Sequence, residues 1–427
     1  MRRYTPTTSP AKLHLHFSNN HHHAAADRER GIEDDPFPSS MAPNQSSSPS
    51  TAVTLSTPKP EPASHDPRHS RLRDPATWDT FSTVSYLIFF SILGTLARLG
   101  LQSLTTYPNA PVTTGVLWAN VAGCVVMGLL VELRPKPVAS ATQNNNDHNN
   151  TAGGGDRNGS KRSTASMIMP LYVGLTTGFC GSTTSFSSFA RDMFLALANE
   201  LPEDSMGHIR SRGRGDSVMA IAAVIALTIG MSIAGLYLGG HAAMVLRATL
   251  RQSIPGGSLI RLIIPLGVVL GWTSWLAALL LSIFLAPSSQ NYWRSSVLFA
   301  LVFAPPGCLL RYYVSRWLNP RQKSFPLGTF AVNIFGTLVL GVCLDLQHVP
   351  PVVRAYAACH VLQGVMDGFC GCLTTVSTFV VEITSLSRRR DGYVYAGGSI
   401  MVALAVMVIV AGSLRWTRGW EDASCST

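Results

Sequence analysis

The sequence predicts an all-α membrane protein: two inverted four-helix repeats joined by a linking transmembrane helix, nine spans in all, with a broken third helix in each repeat. Three observations carry that prediction. Apolar runs of membrane-spanning length recur along the chain, one block of motifs occurs twice, and an unpaired apolar run separates the two copies.

Of 427 residues, 46% are hydrophobic and only 13% charged, against about 25% charged in a typical soluble domain. Residues 1–76 stand apart, rich in Ser, Pro, His and Asn and without a useful apolar run. Such a segment cannot offset its ordering entropy and reads as a disordered cytoplasmic tail, without the pattern of a secretory leader. His21, His22 and His23 within it read as solvated low complexity rather than a metal site. The net charge of +10 lies largely in short loops between apolar runs, so it implies no nucleic-acid partner. The eight cysteines form no framework, and Cys370 with Cys372 lacks a second pair or a His.

A bilayer core takes about 20 apolar residues per helix. Candidate spans cover 81–101, 112–133, 167–197, 218–246, 259–286, 295–317, 325–346, 355–386 and 393–416, with an Asn/Gly-rich linker over 143–161. The first repeat is placed at 77–250, the linking helix within 251–290, the second repeat at 291–418 and a short tail at 419–427. Lys and Arg are denser in the loops on the side of the N-terminus, from Arg134 and Lys136 through Arg316 and Lys323 to Arg388, Arg389 and Arg390. That bias orients the chain with N-terminus cytoplasmic and C-terminus outside.

The repeat is legible in three places. LGTLARLGL with Arg98 matches PPGCLLRYY with Arg311; LWANVAGCVVMGLL with Asn120 matches TFAVNIFGTLVLGV with Asn333; GFCGSTTSFSSF from Gly178 matches GFCGCLTTVSTF from Gly368. Four helices per copy would set a direct tandem the same way up. The extra run at 259–286 adds one crossing and inverts the second copy, and inverted repeats place an ion site at their interface near mid-membrane.

Several residues bear on chemistry. Gly181 and Gly371 weaken helical continuity, and nearby Ser and Thr rebond the freed backbone groups. Two breaks facing each other offer carbonyls to a small hard cation, or half-helix N-termini to an anion. Phe186 and Phe189 share one helical face, and an aromatic edge is positive enough to accompany a desolvated anion. Asn120 and Asn333 serve either as helix–helix glue or as NH2 donors to an anion. Arg98 and Arg311 sit near span ends, as snorkelling anchors or vestibular attractors of anions. Asp192 and Glu382 each follow the last Phe of the motif by three residues, with no role fixed.

Together these residues resemble the CrcB/Fluc/FEX fluoride-channel family in its two-domain eukaryotic form, over 81–416 and twice within the chain. The resemblance implies a passive fluoride-selective channel of the plasma membrane, functional as a monomer in the lipid bilayer, and not an enzyme; nothing matches a nucleotide-binding loop. It further implies a structural sodium ion on backbone oxygens of Gly181, Thr184, Gly371 and Thr374. The pore residues carry over as Phe186, Phe189, Asn120, Asn333, Thr329 and Phe379, with Ser187 and Ser377 as further donors. Val116 stands where the second copy has Thr329, and Val376 where the first has Phe186. In the family each pore takes its Asn helix from one copy and its Phe box from the other. Both losses then fall in the pathway of Asn120 and Phe379, leaving one intact and one vestigial pore. A competing class is a proton-coupled exporter of small cations or drugs built as an inverted repeat. It requires a mid-membrane carboxylate, for which Asp345 and Asp367 are the candidates and have no match in the other copy.

Overall fold

A computed structural model describes residues 75–107, 112, 114–134, 168–201, 213–250, 257–285, 292–349 and 356–420. The tail expected over 1–76, except its last two residues, the 143–161 linker and 421–427 lie outside the described residues. Helices α1 (Pro75–Thr105) and α2 (Leu117–Glu132) are followed by a two-piece helix, α3 over 168–183 and α4 (Phe186–Ala198). Then come α5 (Arg214–Leu250), α6 (Gly257–Phe284), α7 (Tyr292–Leu318) and α8 (Leu327–Gln347). A second two-piece helix, α9 over 356–373 and α10 (Ser377–Ser385), precedes α11 (Arg389–Thr417). No strand occurs among the described residues.

Seven stretches are long and apolar enough to cross a membrane: α1, α5, 265–284 of α6, α7, α8, the α9–α10 pair and α11. Their outward faces match that reading. On α6, Leu266, Val269, Leu276, Leu279, Leu280 and Ile283 are all exposed, a pattern water would penalise and lipid accepts. Pro265 and the Pro305–Pro306 pair sit inside helices α6 and α7, as membrane helices tolerate.

Close packing follows from small residues. Helices α2 and α5 form the most extensive contact, and a Cβ on Gly128 would strike the Leu236 carbonyl, as one on Gly239 would strike that of Val125. Backbone-to-backbone approach of this kind replaces the hydrophobic drive that lipid does not supply. Helix α6 lies across α1 and α7, the first helix of each half. Trp272 Nε1 donates to Ser85 Oγ at 3.0 Å and Trp275 Nε1 to the Val302 carbonyl at 3.1 Å. The largest buried cluster joins α4, α8, α10 and α11 through Phe186, Phe189, Met193, Leu340, Phe379 and Tyr395.

Candidate functional site: two crossed helix breaks

In both halves a π-helical stretch, Gly174–Cys180 or Val365–Cys370, precedes the break. Gly181 and Gly371 are themselves helical, with φ −66° and −63°. The expectation that these glycines interrupt the helix is corrected: the chain leaves the helix at Thr184 (φ −94°, ψ 146°) and Thr374 (φ −95°, ψ 153°). The asparagines explain why. Asn120 Oδ1 accepts the Ser185 N–H at 2.8 Å, and Asn333 Oδ1 accepts that of Thr375 at 2.9 Å. Each captured amide would otherwise bond four residues back, to the carbonyl of Gly181 or Gly371.

The two breaks then complete each other. Thr184 Oγ1 accepts the N–H groups of Val376 (3.3 Å) and Ser377 (3.1 Å), at the start of α10. Thr374 Oγ1 accepts the Ser187 N–H of α4 at 3.0 Å. Each threonine therefore caps the half-helix of the other copy, its oxygen accepting from orphan N–H groups that lipid would leave unmet. Ser187 and Ser377 stand at the crossing, with hydroxyl oxygens 3.0 Å and 3.1 Å from those of Thr374 and Thr184.

Arg98 and Arg311 are 1% and 2% exposed, which corrects their expected place in a vestibule or snorkelling to the interface. Arg311 Nε donates to the Cys372 carbonyl at 2.8 Å and Nη2 to that of Thr177 at 2.7 Å. Arg98 Nη2 donates to the Asp367 carbonyl, the position matching Thr177 in the repeat. A Cβ on Gly181 would strike the Arg311 guanidinium, and one on Gly371 that of Arg98. The glycines are thus seats for a guanidinium from the other half. The guanidinium bonds fall on the carbonyls of residues 177, 367 and 372, and the asparagines withdraw the amides that would bond the carbonyls of Gly181 and Gly371. With those of Thr184 and Thr374, these carbonyls would offer a hard monovalent cation oxygen ligands. Among the described residues no three His, Cys, Asp or Glu side chains converge on a common point, so such a cation would rest on neutral oxygens.

The aromatic residues meet edge to face. Phe186 lies 5.7 Å from Phe189 at 78° and 5.2 Å from Phe379 at 70°. Phe379 in turn lies 5.1 Å from Tyr395. The rings of both motifs thus form one row, in which Phe379 joins Phe186 although the sequence assigns them to different pathways. Besides the following helix of its own half, α4 packs against α8 and α11, and α10 against α2 and α5. Thr329 and Asn333 on α8 are therefore carried by the helix that faces the Phe186 helix; both are buried. Asn333 Nδ2 donates to the Thr375 carbonyl at 3.3 Å, whereas Asn120 Nδ2 is buried without a partner among the described residues. Ser399, buried on α11, also has no partner for its hydroxyl.

Sequence reasoning missed one cluster. Glu382 Oε1 accepts from Thr329 Oγ1 (2.6 Å) and Asn319 Nδ2 (3.1 Å), and Oε2 from the Tyr395 hydroxyl (2.7 Å). Asn319 lies in a 3₁₀ turn after α7, where only its distance from any motif hid it. Among the described residues the first-half acid, Asp192, meets Arg191 at 3.4 Å, and its Oδ2 has no partner.

Apolar helices around two reciprocally capped breaks define a multi-pass membrane protein with duplicated architecture. The chain belongs to the CrcB family: the family described as CrcB-like protein, Camphor Resistance (CrcB) matches residues 85–240 and 298–413, once per half. It is 50% identical to fluoride export protein 1 of Neurospora crassa over 361 residues, 80% of this chain and 68% of that protein. Fluoride export protein 1 of Candida albicans is 35% identical, over 80% of this chain and 82% of its own. The fluoride-specific ion channel FluC of Serratia proteamaculans is 34% identical over 128 residues, 29% of this chain and 88% of that one. No solved structure matches the chain.

Proposed function

We propose that the chain is a passive fluoride channel that lets the anion leave the cytoplasm, with one working pathway along α4, α8 and α11. The observation that carries this reading is the reciprocal capping of the two breaks. It brings the N-terminal ends of α4 and α10, the hydroxyls of Ser187 and Ser377, and the Phe186–Phe189–Phe379 row into one buried region. Helix N-termini, hydroxyl donors and aromatic edges all favour an anion without binding it as a lysine would. Fluoride is the anion named for its relatives. An inside-negative membrane potential drives an anion outward by about 2.3 kcal/mol per 100 mV, so no nucleotide is needed.

Nine crossings result when α2 and the α3–α4 pair join the seven apolar stretches. An odd total inverts the second copy and sets the termini on opposite sides; the Lys and Arg bias of the loops supports a cytoplasmic N-terminus and an outside C-terminus, in the plasma membrane. The reciprocal contacts of Arg98 and Arg311 support two copies related by a two-fold axis within one monomer. Thr329, Asn333, Phe186 and Phe189 line the working pathway. Val116, Asn120, Val376 and Phe379 belong to the vestigial one, which has lost a hydroxyl and a ring. A sodium ion on the oxygens of Gly181, Thr184, Gly371 and Thr374 supplies positive charge at the crossing and ties the two breaks together.

Fluoride efflux from liposomes carrying the purified protein tests the reading. Fluoride is expected to leave without nucleotide and with far less chloride, and equal efflux of both ions would overturn it. An exporter that exchanges protons for a cation would instead show uphill transport on an imposed pH gradient.

A further inference from the structure

Asn319 makes four polar contacts, and they fall into two sets. Its Oδ1 accepts the N–H groups of Gly328 (2.7 Å) and Thr329 (3.1 Å), two orphan donors in the first turn of α8. Its Nδ2 donates to Thr329 Oγ1 (3.2 Å) and to Glu382 Oε1 (3.1 Å). A single amide thus joins the start of α8, which carries Thr329 and Asn333, to the end of α10, which carries the carboxylate.

We infer that Asn319 is a positioning residue for conduction: it holds the Glu382 carboxylate against Thr329 and Tyr395, so that its negative charge does not swing into the anion's path. This rests on the channel reading above. A carboxylate in an anion pathway repels the ion unless donors bind it in place, and here three neutral donors do so. With the Asn319 donor gone, Oε1 keeps only the Thr329 hydroxyl, which has rotational freedom that the amide lacks.

The arrangement occurs at one place only among the described residues. Asn319 follows Arg311 by eight positions, and Thr106 follows Arg98 by the same number. Thr106 Oγ1 bonds back to Gln102 of its own helix at 2.7 Å. Val116 replaces Thr329 and offers no hydroxyl, and Asp192 has one unpartnered oxygen. Asn319 therefore belongs to the pathway that keeps Thr329 and Phe186, and helps decide which of the two copies conducts.

Two substitutions separate this role from simple helix capping. Asn319→Asp retains the acceptor for Gly328 and Thr329, loses both N–H donors, and sets a second carboxylate against Glu382. Glu382→Gln removes the charge, while its amide oxygen keeps an acceptor for the Asn319 and Thr329 donors. At matched protein level and with an unchanged melting temperature, Asn319→Asp is expected to pass fluoride about tenfold more slowly in liposome efflux, and Glu382→Gln, which leaves no charge to swing, is expected to lose less. The double variant, in which the new amide at 382 donates to the new carboxylate at 319, is expected to recover to within about threefold of wild type. Wild-type flux in Asn319→Asp would mean that the residue only caps α8 and would overturn the inference. So would a double variant no faster than the slower single. If a single variant does not fold, the double variant still decides, since only the paired contact rescues it. Absence of fluoride flux in the wild-type protein would overturn the channel reading instead, and is distinguishable by that control.

Discussion

Thr184 Oγ1 and the backbone N–H of Ser377 lie 3.1 Å apart although 193 residues separate them. A helix N-terminus in one copy is capped from the break of the other, and Thr374 returns the contact to Ser187 at 3.0 Å. Removing the Thr184 hydroxyl strands two buried N–H groups, those of Val376 and Ser377. Thr184→Val, similar in shape, is expected to destabilise the protein by about 1–3 kcal/mol. Thr184→Ser keeps the acceptor and should stay within about 1 kcal/mol of wild type. Thermal unfolding in detergent measures both, and equal melting of the two variants would contradict the capping role.

Gly181 is close to the Arg311 guanidinium rather than to an apolar side chain. A methyl there must displace a buried charge that bonds the Thr177 and Cys372 carbonyls. Gly181→Ala is expected to destabilise by about 3–5 kcal/mol, as breaking a buried charged contact does. Gly230 meets nothing within 4 Å of its added Cβ, so Gly230→Ala on α5 is expected to be neutral or mildly stabilising. Comparing the folded yield of the two variants checks the contrast.

Much of this was legible in the sequence for a physical reason. A duplicated motif repeats its local chemistry, so the broken third helix, the buried asparagines and the pairing of halves announce themselves at Gly178 and Gly368. The position of the break was not legible. Glycine reads as a helix breaker, yet Gly181 and Gly371 stay helical because an asparagine on a neighbouring helix withdraws the amide four residues on. Arg98 and Arg311 misled in the same way: an arginine near a span end has a route to water, and only tertiary structure reveals a guanidinium seat. Asn319 carried no signal, since its partners lie nine to 63 residues away.

His348 follows the last residue of α8, its ring stacked on Trp420 with centroids 4.3 Å apart and planes 18° apart. Burial holds its imidazole below the ordinary histidine range; the Leu344 carbonyl, 2.8 Å from Nδ1, and Glu200 pull it up, and Arg415 pushes it down. A histidine kept neutral in the fold contributes stability that is fully present above its unfolded value, about 6.5, and erodes as pH falls through it. The melting temperature of the wild type should therefore fall more steeply between about pH 7.5 and 5.5 than that of His348→Phe. Parallel pH profiles for the two would remove His348 from the account.

The two asparagines differ in what their amides do, and so should their variants. Asn333 uses both ends, Oδ1 on the Thr375 N–H and Nδ2 on the Thr375 carbonyl, and stands on the helix that packs against Phe186 and Phe189. Asn120 uses Oδ1 alone and stands on the helix that packs against α10, which begins just after Val376. Each truncation releases one captured amide, so both variants should lose about 1–3 kcal/mol of stability through the same break. Flux separates them. In Asn333→Ala the missing donors belong to the pathway proposed to conduct, and fluoride efflux is expected to slow by about tenfold or more. Phe186→Ala should slow it comparably by removing the ring that touches both Phe189 and Phe379. Asn120→Ala should retain most of the flux once protein amounts are matched, because the pathway proposed for it has Val116 and Val376 in place of a hydroxyl and a ring. Equal losses from Asn120→Ala and Asn333→Ala would mean that both pathways conduct. A larger loss from Asn120→Ala would reverse the assignment of the two copies.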